Sequence, residues 1–196
     1  MGKKFKDLMI DIETMGTNPN SSILSIAAIE FNIDTGEIGK EFYTNICLQS
    51  CKNLGLDIEP STVLWWMNQN ESARKKLIEE PGLSIIEALK SFNNFIQGNY
   101  KIWANSPAFD CEILKNAFKK SLLPIPWNFL DERDVRTLVS IYPEIKQNCT
   151  FKGTEHNALD DCKHQIEYCT LIWKKYIMNN FLFKKLFVYL QIKNKI

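Results

Sequence analysis

Five residues of this 196-residue chain have types and spacings that could do chemistry together. Asp11 and Glu13 close an apolar opening stretch, Leu8-Met9-Ile10. Side chains alternate faces along a strand, so both carboxylates project from one face, two residues apart. Neighbouring carboxylates repel unless a cation sits between them. A divalent ion is the usual remedy, and hard oxygen donors suit magnesium or manganese. A third carboxylate, Asp110, follows Asn105-Ser106-Pro107-Ala108-Phe109 at an expected helix start, where negative charge is favoured. A fourth comes from His156-Asn157-Ala158-Leu159-Asp160-Asp161 at the head of a long helical stretch; the pattern alone leaves Asp160 and Asp161 both open. That stretch also carries His156, one of only two histidines, and an imidazole is the natural general base. Four carboxylates and one base are the parts for two-metal hydrolysis of a phosphodiester. The competing view of each acid taken singly is a cap or a solvated surface charge.

The elements that must position these residues follow from the rest of the pattern. Residues 23–32 are apolar and unbroken by Gly or Pro, which suits a buried strand. Asp34-Thr35-Gly36 reads as a hairpin turn into a third strand near 41–46. Residues 50–60 read as irregular. Ser61 or Thr62 is expected to cap a short helix carrying Trp65 and Trp66, and a second short helix is expected over 71–80, ending at Pro81-Gly82. Ser84-x-x-Glu87 is a capping box ahead of Ile85, Ile86, Leu89, Phe92, Phe95 and Ile96. A fourth strand is expected over 100–104, then a helix capped by Ser106 with Pro107 in its first turn. A fifth strand is expected near 127–131, a helix over 133–141, and a long helix over 157–178 that buries Ala158, Cys162, Ile166, Cys169 and Trp173. Strands first, then alternation, give an α/β fold: a mixed sheet flanked by helices. One domain over residues 1–180 is expected, followed by an apolar and basic extension over 181–196.

Composition bounds the rest. Hydrophobic content of 45% and charged content of 24% are ordinary for a globular chain. A net charge of +1 does not announce a nucleic-acid binder. However, offsetting four ligand acids with two divalent cations leaves +5. The six cysteines form no Cys-x-x-Cys pair, so zinc-ribbon spacing is absent. They read as free packing residues in a reducing, cytoplasmic setting. The charged opening Met1–Asp7 does not resemble a secretory signal, and no apolar run is long enough to span a membrane.

The order Asp-x-Glu, Asn-x-x-x-Phe-Asp, His-x-x-x-x-Asp resembles the three motifs of the DEDDh exonucleases. The likeness extends over about residues 6–178. Within the family it is similar to a phage and bacterial branch that includes the DexA-type phage exonuclease and mycobacterial-type exoribonucleases. The resemblance implies an RNase H-like five-stranded sheet. It also implies 3′–5′ release of nucleoside 5′-monophosphates from single-stranded DNA or RNA, with two Mg2+ or Mn2+ per site. It assigns metal binding to Asp11, Glu13, Asp110 and Asp161, and the base to His156. Motif spacing selects Asp161 and leaves Asp160 a neighbour; His164 reads as structural or surface. Thr14, Met15, Gly16, Asn105, Phe109 and Asp134 are expected at the substrate, with Trp65 and Trp66 as stacking candidates and no ground to choose between them. Arg74, Arg133 and Arg136 are candidate phosphate contacts. Many members of the family are homodimers, which favours a homodimer. The alternative is a non-catalytic binding module of the same fold.

Overall fold

The computed structural model describes residues 5–78 and 82–193. The first three strands are β1 (Asp7–Thr14), β2 (Ile23–Phe31) and β3 (Ile38–Asn45). Helices α1 (Leu48–Asn53), α2 (Pro60–Met67), α3 (Glu71–Ile78) and α4 (Ile85–Phe95) follow, then β4 (Lys101–Ala104) and α5 (Asp110–Lys120). A 3-10 turn at Phe129–Asp131 leads to β5 (Glu132–Asp134), α6 (Val135–Val139), α7 (Pro143–Asn148) and α8 (Ala158–Lys193). The sheet order is β3-β2-β1-β4-β5. The β1–β2 and β2–β3 pairs are antiparallel, and β1–β4 and β4–β5 are parallel, so the sheet is mixed as expected.

Alternation along β1 decides which face becomes which. Leu8, Ile10 and Ile12 enter one core with Ile85, Leu89 and Phe92 of α4 and Leu114 and Phe118 of α5. Met9 enters a second core on the other face, with Val135 of α6 and Ala158, Cys162, Ile166 and Cys169 of α8. Asp11 and Glu13 share the parity of Met9, so they look toward α8. β2 is buried along its whole length, which explains its unbroken apolar run. Burying each large apolar side chain in these two layers contributes about 1.5–3 kcal/mol against chain entropy.

Several local expectations are corrected. Residues 48–53 form α1 rather than irregular chain; Cys47 stands at its N-cap without a side-chain bond, so no capping signal marked it. Helix α2 begins at Pro60, not after a Ser61 or Thr62 cap. Proline is favoured at a first helical position because its missing N–H leaves nothing unsatisfied there. The capping box at Ser84 and Glu87 is formed on both sides, but Ile86 lies outside the buried face. Ser106 does not cap α5: the Phe109 and Asp110 N–H groups donate to its carbonyl in a tight turn, and Asp110 Oδ2 accepts from the Ser106 N–H at 3.4 Å. The fifth strand lies at 132–134 rather than 127–131, because Asn128 accepts from the Leu130 N–H and starts a 3-10 turn. The helix expected over 133–141 shrinks to α6, capped by Asp134. Helix α7 was not anticipated, although Pro143 at its first position is a start signal.

The long helix does not stop at Met178. No Gly or Pro interrupts the sequence, and the backbone of α8 continues to Lys193. The expected boundary at residue 181 therefore falls inside one helix. Docking of the tail's side chains, and the expected helix end at Pro81, lie outside the described residues. Of the buried positions expected on α8, Ala158, Cys162, Ile166 and Cys169 are fully enclosed and Trp173 is half-buried. All six cysteines are free thiols. Among the described residues, no helix is long and apolar enough to cross a membrane.

Candidate active site

Three elements converge on one cavity of about 460 Å3. Strand β1 supplies Asp11 and Glu13, the first residue of α5 supplies Asp110, and the first turn of α8 supplies Asp161. All four carboxylates line the cavity, together with His156, Asn105, Ser106, Phe109, Trp65, Arg136 and Gln165. Two of the acids sit at helix starts, where exposed N–H groups favour negative charge. Helix α8 is itself capped by Asn157, whose Oδ1 accepts from the Asp160 N–H at 3.2 Å. Asp160 turns away and accepts from the Thr154 N–H at 2.9 Å, leaving Asp161 as the acid that lines the cavity. His156 stands immediately before that cap with φ of 62°, a left-handed conformation uncommon for a residue with a side chain.

The electrostatics are those of negative charges crowded in a dry place. Burial pushes Glu13 up to about 8, helped by Asp161 and Asp110. Burial pushes Asp110 up to about 7, against N–H donors from Ser106 and Ile12. Asp161 is likewise raised by burial to about 7, against a backbone bond at His156. Burial raises Asp11 well above the ordinary carboxylate range; Asp110, Glu13 and Asp161 add to it, and the bond from Gln165 opposes it. None of the four forms an ion pair with Lys or Arg among the described residues. Buried like charges of this kind call for a cation. The donor chemistry fits one: the acids offer hard oxygens, and ligand atoms of Glu13, His156 and Asp161 lie within 4.8 Å of one another.

A second hollow of about 380 Å3 adjoins the first and shares Ile12, Glu13, Trp65 and Phe109 with it. Its other walls include Thr14, Gly16, Thr17, Ser61, Thr62 and Trp66. The two tryptophans part company here. Trp66 is 5% exposed and its Nε1–H donates to the Thr14 carbonyl at 2.9 Å, so it braces the end of β1. Trp65 is 42% exposed, touches both hollows, and lies edge-on to His156 with ring centroids 4.8 Å apart. Gly16 has no room for a larger residue: an added Cβ would meet Ser21 Oγ at 2.5 Å.

Other expected site residues are placed elsewhere. Met15 packs against Leu24, Trp66 and Ala73 and lines neither hollow. Asp134 is exposed and caps α6, accepting from the Arg136 N–H at 2.8 Å and the Thr137 hydroxyl at 2.9 Å. Of the three arginines only Arg136 lines the cavity. Arg133 donates to the Leu130 and Glu132 carbonyls, and Arg74 points at the Met67 carbonyl. His164 lies between Phe151 and Tyr168, away from the cavity. The sequence reading missed Gln165. Its Nε2 donates to Asp11 Oδ1 at 2.8 Å, while its own Oε1 is buried without a partner. Its position four residues after Asp161, on the same helical face, was the available signal.

Comparison with known proteins adds a family and a fold. Residues 6–173 match the family described as the Rv2179c-like 3′–5′ exoribonuclease domain. The exodeoxyribonuclease of Enterobacteria phage T4 is 26% identical over 195 residues, covering 82% of this chain and 86% of that one. A solved exonuclease I structure superposes with a TM-score of 0.66 at 17% identity, covering 92% of this chain and 44% of the other. The E. coli exonuclease I complex with a dA16 oligonucleotide gives a TM-score of 0.65 at 17% identity, covering 92% and 43%. The chain thus spans less than half the length of these exonuclease I chains, and the likeness to them is one of fold, the RNase H-like α/β sheet.

Proposed function

The chain belongs to the Rv2179c-like 3′–5′ exoribonuclease domain family, and on that premise we propose that it removes nucleoside 5′-monophosphates one at a time from the 3′ ends of single-stranded nucleic acid. The observation that carries this reading is the convergence of Asp11, Glu13, Asp110 and Asp161 from three separate elements, and of His156 from the segment before α8, on one cavity. Asp11, Glu13, Asp110 and Asp161 would hold two divalent cations, magnesium or manganese. When bound, such cations supply Lewis-acid activation of water and offset charge on the phosphoryl oxygens.

The chain's own residues do the rest. His156 accepts a proton from the attacking water, held in place by its fixed backbone and by the edge of Trp65. Gln165 holds Asp11 in one orientation through its Nε2–H donor. Arg136 brings positive charge to the cavity wall, where a phosphate would lie. The terminal nucleotide enters the adjoining hollow, its base against Trp65 and Phe109 and its sugar near Thr14 and Gly16. Asn105 Oδ1 is buried without a partner in the cavity wall, and it is a ready acceptor for a sugar hydroxyl. A duplex end does not place a single unstacked nucleotide in such a hollow without strand separation, which favours single strands.

Relatives point to both sugars. The phage T4 relative is an exodeoxyribonuclease, E. coli exonuclease I has been solved with DNA oligonucleotides, and the family description names an exoribonuclease. Digestion of matched DNA and RNA oligonucleotides with magnesium tests the reading. Nucleoside 5′-monophosphates should be released from at least one of them. Binding of both without hydrolysis would instead support a non-catalytic module.

A further inference from the structure

A second set of ligand-type side chains lies apart from the carboxylate cavity. Cys149 directly follows α7, and His164 and Glu167 stand three residues apart on α8, on one helical face. Ligand atoms of all three lie within 4.8 Å of one another, and Cys149 Sγ is 3.9 Å from His164 Nδ1. None of the three lines the carboxylate cavity. The rings of Phe151 and Tyr168 flank His164, with centroids 4.9 and 5.2 Å away, and hold the imidazole in place. All three residues are half-buried, which leaves an approach from solvent, and the thiol is free.

Thiolate, imidazole and carboxylate together are a poor set for magnesium and a good one for a borderline ion such as zinc. Zinc bond lengths of about 2.0–2.3 Å set neighbouring ligand atoms roughly 3.3–3.7 Å apart. The observed spacing comes within side-chain rotations of that. Glu167 meanwhile holds an exposed ion pair with Lys152 at 2.9 Å, an interaction of a class weak enough to yield to a metal.

We propose that Cys149, His164 and Glu167 form a zinc-binding site, with solvent as the fourth ligand. The ion ties the end of α7 to the N-terminal part of α8. It thereby closes the segment between them, residues 149–157, whose far end carries His156. The site is a clamp on the loop that delivers the histidine. It rests on its own three residues and stands whether or not the exonuclease reading does.

Cobalt(II) is the probe, because a thiolate-to-cobalt charge-transfer band in the near ultraviolet reports sulfur ligation and the carboxylate cavity offers no sulfur. Reduced, chelator-stripped full chain should develop this band saturably as cobalt is added, the carboxylate cavity taking up cobalt without contributing to it, and zinc should bleach it. Cys149→Ser should abolish the band, while Cys47→Ser and Asp161→Asn should leave it. Glu167→Gln should weaken cobalt binding by about tenfold or more, and Lys152→Ala should tighten it about two- to fivefold, the size of an exposed ion pair. Absence of the band from the unaltered chain, or its survival in Cys149→Ser, would overturn the proposal.

Discussion

Gln165 Nε2 donates to Asp11 Oδ1 at 2.8 Å, joining the N-terminal part of α8 to the carboxylate at the centre of β1. Asp11 is the acid that the other three crowd most, and this bond is the one side-chain donor that opposes the upward pull on its proton affinity. Gln165→Leu should therefore leave the fold in place and raise the manganese concentration needed for half-maximal activity by about 10- to 100-fold, the usual cost of losing an outer partner of a ligand. Activity measured against manganese concentration decides it; an unchanged curve would show that Asp11 holds its orientation without Gln165.

His156 is assigned the proton from water. His156→Ala should lower turnover by about 10²- to 10⁴-fold, with manganese affinity largely kept. Calorimetry on the variant separates the two effects. Loss of manganese binding with turnover would move His156 from base to ligand, a role its nearness to Glu13 and Asp161 also permits.

The raised carboxyls make stability depend on pH in a definite direction. Asp110 and Asp161 at about 7 and Glu13 at about 8 bind protons more tightly folded than unfolded. Their favourable contribution is complete below the ordinary carboxylate range and is lost as pH rises through the folded values. In chelator, the unfolding free energy should fall between about pH 5 and pH 8.5, by up to about 1.4 kcal/mol per pH unit for each titrating group, and the melting temperature should fall with it. Magnesium or manganese should restore it, and more so at the upper end. A chelated protein that melts higher at pH 8.5 than at pH 5 would contradict the picture of uncompensated buried acids.

The two neighbouring tryptophans should respond differently. Trp66→Ala removes a buried ring and its bond to Thr14, and should cost about 3–5 kcal/mol of stability in a denaturant melt. Trp65→Ala should barely change stability but raise KM for single strands by about 5- to 150-fold, the range of one base stack. A reversed pattern would mean that the base stacks elsewhere.

Much of this was legible in the sequence, and the reasons are specific. Asp11 and Glu13 declare a common face because strand period is two, and the register of β1 bears this out. The Ser84–Glu87 box fixes the start of α4 because two side chains satisfy two orphan donors at once. Motif spacing singled out Asp161, and Asp160 is drawn off to the Thr154 N–H. Trp65 and Trp66 could not be separated, because they sit on a short helix whose true start, Pro60, lies two or three residues before the expected one. β5 was misplaced because the 3-10 turn before it is set by one Asn128 side-chain bond that no periodicity records. Gln165 had only a weak signal, its place four residues after Asp161, because a lone amide on a helix face is ordinary until the strand opposite places Asp11 beneath it.

The proposed chemistry stands or falls with the four converging acids and the cations they would hold. The most direct measurement is the digestion of a 5′-labelled single-stranded oligonucleotide with saturating manganese, comparing the unaltered chain with Asp11→Asn. The unaltered chain should shorten the strand by one nucleotide at a time from its 3′ end. Asp11→Asn, still folded by circular dichroism, should lose at least about 10³-fold in rate, as expected when a group that stabilises the transition state is removed. Internal fragments from the unaltered chain, or a full rate from Asp11→Asn, would contradict the account.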